Sequence, residues 1–119
     1  MGSTAAEART VSVVVDASAE GVQKYTARVS SAAEIEAVEA GALEQFFEIA
    51  DGGEASQFVR ARAVDMTGEA RHIDEPTSLF RVRFVEPVEL QSIRLHFETI
   101  IDHAGEKVPG ESLRFDAIE

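Results

Sequence analysis

The sequence predicts an all-β domain, a two-sheet β-sandwich of about nine short strands. Three observations predict it. Side-chain character alternates every two residues in Tyr25-x-Ala27-x-Val29 and again in Phe80-x-Val82-x-Phe84, the period of a strand with one face buried. Turn signals recur between such runs, at Asp16–Gly21, at Asp51-Gly52-Gly53, at Gly68 and Pro76, and at Gly105 and Pro109. A sheet that is apolar on one face needs a second sheet to cover it, and an apolar content of 45% supplies the material.

Residues 1–8 read as a cloning scar plus a small-residue leader, so the domain is expected to span 9–119. Val11 to Val15 is short and β-branched, a strand candidate. Val22 to Val29 follows, with Tyr25, Ala27 and Val29 on one face and Lys24, Thr26 and Arg28 on the other. Gln45–Ile49 and Ser56–Val64 flank Asp51-Gly52-Gly53 and should form an antiparallel hairpin. Met66 to Ser78 is polar and reads as a surface loop. Leu79 to Val85 alternates, with Phe80, Val82 and Phe84 inward and Arg81 and Arg83 outward. Pro87 is expected to stop that run from continuing as a central strand. Gln91 to Ile101 gives a further strand through Ile93, Leu95 and Phe97, and Ser112 to Ile118 closes the domain.

Residues 31 to 50 are ambiguous. Ser31-Ala-Ala-Glu34 has the form of a capping box, and Ile35, Val38, Ala42, Phe46 and Ile49 would share one face of a helix. Gly41 in mid-run opposes a helix by about 1 kcal/mol relative to alanine. A helix here would make the domain an α+β small-molecule binder instead.

A formal net charge of −11 opposes bulk electrostatic binding to nucleic acid or to an anionic membrane surface. No apolar run approaches the roughly 18 residues needed to cross a bilayer as a helix. Cysteine is absent, which excludes disulfides and thiolate metal sites. His72, His96 and His103 do not have zinc-ligand spacing, and Asp102-His103-x-Gly105-Glu106 lacks the regular acidic spacing of a calcium loop. No nucleophile elbow, catalytic triad signature or phosphate-cradling glycine motif is present. The expectation is a non-enzyme without metal or cofactor.

Gly21-x-x-x-Tyr25-x-Ala27-x-Val29, Ile35-x-x-Val38-x-x-Gly41-x-Leu43, Phe58-Val59-x-Ala61-x-Ala63-Val64-Asp65 and Leu79-x-x-Val82-x-Phe84 occur in that order. Together they resemble a cohesin, the receptor module that docks a dockerin in cellulosome-type assemblies. The likeness runs from about Val11 to Ile118 and rests on spaced apolar positions and two glycines. It implies a nine-stranded sandwich of jelly-roll type in which residues 35–43 form a strand, a bend and a second strand. It implies, too, a monomeric, extracellular or cell-surface module that binds a dockerin-bearing protein, with calcium carried by that partner.

In cohesins the counterparts of Val22–Val29, Ser56–Val64 and Gln91–Glu98 share the docking sheet. Their outward residues by parity are Lys24, Thr26 and Arg28, then Phe58, Arg60 and Arg62, then Arg94, His96 and Glu98. Five of the chain's 11 basic side chains would then project from one sheet of an acidic protein. Arginine forks there can grip carboxylates, and Phe58 can anchor among them. The alternative is that these charges only protect the sheet from aggregation. Cellulosomal cohesins carry Asn and Asp where this chain has Val22 and Lys24, which leaves the dockerin type open. Two other functions suit a sandwich: a carbohydrate-binding module, which would want exposed aromatic platforms although the chain has no tryptophan and one tyrosine, or an immunoglobulin- or fibronectin-like spacer.

Overall fold

The computed structural model describes residues 7–43, 46–68 and 70–118. Among them are eight strands: β1 (Glu7–Val15), β2 (Lys24–Ser30), β3 (Ile35–Ala40), β4 (Phe47–Gly52), β5 (Phe58–Val64), β6 (Thr77–Glu89), β7 (Arg94–Ile101) and β8 (Leu113–Ala117). They form two four-stranded antiparallel sheets, ordered β3-β6-β1-β8 and β4-β5-β2-β7. The pairs β1·β8, β2·β7, β3·β6 and β4·β5 are all adjacent and antiparallel, the pattern left by rolling up one long hairpin, as in a jelly roll. The two seams are closed by β1·β6 and β2·β5.

Period-two alternation places the core where the sequence predicts it. Val11, Val13 and Val15 of β1 and Val82 and Phe84 of β6 face Tyr25, Ala27 and Val29 of β2 and Val59, Ala61 and Ala63 of β5, all of them buried. Aromatic rings tie the sheets together. Tyr25 stacks on Phe80 at 5.9 Å between centroids, and Phe80 meets Phe47 of β4 at the same distance. The Tyr25 hydroxyl donates to the Leu79 carbonyl oxygen (3.2 Å), and burial pushes its pKa well above the ordinary phenol value.

Residues 35–40 are an extended strand and 41–43 a turn, not a helix. β3 pairs with β6 in one sheet, and the chain then crosses to β4 in the other. The crossing begins at Gly41, where a Cβ would lie 2.4 Å from the Ser78 carbonyl oxygen. Gly21 is equally constrained: its φ is +67°, and a Cβ would overlap the Ala70 carbonyl oxygen. Both glycines carrying the cohesin resemblance thus stand where a side chain has no room. Phe46 and Ile49, expected on a helix face in the alternative reading, are exposed instead.

Eight strands are described, against about nine expected. β1 starts two residues before the expected domain boundary, because Ala8 pairs with Val88 and is buried. Pro87 lies where β6 is no longer a central strand, as expected: the β3 ladder ends at Phe84, the stretch beyond pairs with β1 alone, and the β1·β6 register slips between Ala8 and Thr10 around a residue that cannot donate to the ladder. The reversal between β4 and β5 lies after Gly52, with Gly53 donating to Phe58 and Ser56 donating to Gly53. The β4·β5 hairpin itself pairs as expected from Phe47 onward; Gln45 lies outside the described residues. A second slip, between Val13 and Val14, bulges β6 at Leu79 and turns both Leu79 and Phe80 into the core.

Candidate docking face

All nine residues read as outward lie on the outer surface of the β4-β5-β2-β7 sheet. Register arranges them in rows. Arg60, Arg28 and His96 stand side by side across β5, β2 and β7; Arg62, Thr26 and Thr99 form the next row; Phe58, Ser30 and Arg94 the row beyond. Lys24 closes the array between Val64 and Ile101. The register slip between Thr26 and Ala27 on the β7 side brings Glu98 into the array beside these rows.

Two arginines are held by carboxylates of the same face. Arg60 reaches across β2 to Glu98 in a forked pair, Nε to Oε2 at 2.9 Å and Nη2 to Oε1 at 2.8 Å. Arg62 grips Glu48 of β4, the residue opposite it in the hairpin, at 2.8–3.0 Å. The hydrogen bond from Arg62 holds the Glu48 carboxyl below its ordinary pKa, and the one from Arg60 does the same for Glu98. Arg60 is correspondingly raised, first by its hydrogen bond to Glu98.

The remaining cations are differently placed. The exposed Arg28 guanidinium lies over the Phe58 ring, 4.4 Å from its centroid. Arg94 donates to the Gln91 carbonyl oxygen, and neither Arg94, Arg28 nor Lys24 has an ion pair among the described residues. Five cations therefore share the face with Glu48 and Glu98 and with Asp51, which lies opposite Arg60, and the surface is net positive on a strongly acidic chain. Of the two departures from the cellulosomal pattern, only Lys24 is on this face; Val22 is buried.

The other candidates resolve into structural roles. His103 Nε2 is 2.9 Å from Asp65 Oδ2, and the same buried carboxylate accepts from the Gly68 and Ala70 amides, fastening the loop after β5. His72 Nδ1 contacts the Ala19 carbonyl oxygen at 2.9 Å. Among the described residues no three His, Asp or Glu side chains gather as a metal site. Tyr25, the single tyrosine, is buried and offers no platform to a sugar ring. Sequence reading missed Glu48, whose position became informative only with the β4·β5 register, and an apolar rim at one end of the sheet formed by Phe46 and Met66. No family description matches the chain, and neither a curated protein nor a solved structure is significantly similar to it.

Proposed function

We propose that this chain is a non-catalytic, cohesin-like docking module that takes an acidic, dockerin-type partner on the outer face of the β4-β5-β2-β7 sheet. The observation that carries the reading is the gathering of Lys24, Arg28, Arg60, Arg62 and Arg94 on one face of a protein of net charge −11. It is supported by the three strands that the cohesin resemblance groups together, which lie side by side as β5, β2 and β7. Arg28 stacked on Phe58 supplies the aromatic and guanidinium combination that anchors protein interfaces. A basic field on this face steers an acidic partner and fixes its orientation. Calcium belongs to the partner, and the module works outside the cell as one part of a larger surface assembly, itself monomeric.

Calorimetric titration of the domain against a panel of acidic dockerin modules, with calcium and then with chelator, tests this. Binding is expected with calcium and not with chelator. Arg60→Glu combined with Arg62→Glu should weaken it at least tenfold. An unchanged affinity in that variant removes the basic face from the interface.

A further inference from the structure

We infer that the docking face has a specificity pocket at one end, which receives an apolar side chain flanked by a carboxylate in the acidic partner; this rests on the docking reading above. The start of β2, the start of β4 and the end of β5 meet at this end of the sheet, because Lys24 lies opposite Val64 and Phe47 opposite Ala63. A cavity of about 610 Å³ opens there, lined in part by Lys24, Tyr25, Phe46, Phe47, Arg62 and Met66. That is within the range of ligand-binding pockets, which run from roughly 300 to 1,000 Å³.

Its lining sets Phe46, Phe47, Val64 and Met66 beside Lys24, Arg62 and Glu48, so it is more apolar than the rows of arginine but still carries charge. Phe46 is 50% exposed and Met66 68% exposed, two of the five large hydrophobic side chains exposed among the described residues. Single exposed hydrophobics are ordinary on a protein surface. Two converging on one cavity, on the face already singled out by its charge, are not scattered in that way. Phe47 packs on Phe80 and gives the pocket a fixed wall, whereas Met66 is a flexible thioether that adapts to the side chain it meets.

Charge complementarity selects the occupant. Lys24 stands at the cavity with no ion pair among the described residues, and Arg62 stands beside it already held by Glu48. An apolar anchor entering between Phe46 and Met66 carries its neighbouring carboxylate toward the Lys24 ammonium. Glu48, which also lines the cavity, is taken up by Arg62, so the unpaired charge that a neighbouring side chain meets is the Lys24 ammonium, and a basic neighbour is disfavoured there. The pocket therefore discriminates among acidic partners, which the open rows of arginine do not.

The test is an amide-resolved NMR titration of the intact domain with two blocked pentapeptides, four aspartates around a central leucine and four aspartates around a central serine. The leucine peptide is expected to shift the Lys24, Phe46 and Met66 amides and to saturate at about fivefold lower concentration than the serine peptide. Met66→Ser, at an exposed position, should abolish that difference with the far-ultraviolet circular dichroism unchanged. Equal affinities, with shifts confined to Arg28, Arg94 and His96, would overturn the pocket and leave the docking face standing. No shift on this sheet with either peptide would overturn both.

Discussion

At the scale of single residues, the face is a balance between arginines tied to internal carboxylates and cations left open. The Arg60–Glu98 fork and the Arg62–Glu48 pair mimic what a carboxylate-bearing partner would offer, so such a partner competes with Glu98 and Glu48 for guanidinium donors. Each carboxyl has a folded-state pKa below the ordinary 4.5. Their contribution to stability is therefore fully present above pH 4.5 and is lost as pH falls through the lower folded-state midpoints. Being exposed pairs, they are expected to contribute modestly. Side-chain carboxyl NMR should find both Glu48 and Glu98 titrating below 4.5. Arg60→Gln should return Glu98 toward that value and leave Glu48 where it was; a Glu98 midpoint already at or above 4.5 in the native domain contradicts the forked pair.

At the scale of elements, strands whose two faces differ strongly were legible and places where the ladder slips were not. β2 and β5 read correctly, position by position, because Tyr25, Ala27 and Val29 alternate with Lys24, Thr26 and Arg28, and Val59, Ala61 and Ala63 alternate with Arg60 and Arg62. β6 defeats that logic twice, at Leu79 and around Pro87, because a bulge breaks the period that makes a strand readable. The segment 31–50 shows the limit of local pattern: its capping-box sequence suits a helix, but pairing of Ile35–Ala40 with β6 wins. Gly41 makes that crossing possible. Gly41→Ala should cost about 1–3 kcal/mol by forcing a Cβ onto the Ser78 carbonyl oxygen, whereas Gly110→Ala, with nothing within 4 Å, should stay within about 0.5 kcal/mol. Urea unfolding compares the two directly, and equal costs would mean that β3 and β6 have room to separate at the crossing.

At the scale of the whole molecule, an acidic chain gathers five of its 11 lysines and arginines on the outer face of one sheet, and that gathering carries the functional reading. The outward placement of these side chains was legible because parity along three strands needs no tertiary information. Their internal partners were not, because the Arg62–Glu48 contact depends on hairpin register and the Arg60–Glu98 contact spans an intervening strand. The rim formed by Phe46 and Met66 was not legible either, since both lie beyond strand ends where no period applies. The opposite sheet provides an internal control: Arg81 and Arg83 also point outward, from β6, but lie outside the proposed interface. The most direct measurement is a side-by-side titration of a calcium-loaded dockerin partner against Arg28→Glu/Arg94→Glu and against Arg81→Glu/Arg83→Glu. A loss of at least about tenfold in the first variant and of no more than about twofold in the second is predicted. Equal losses in the two, or a greater loss in the second, would contradict docking through the β4-β5-β2-β7 face.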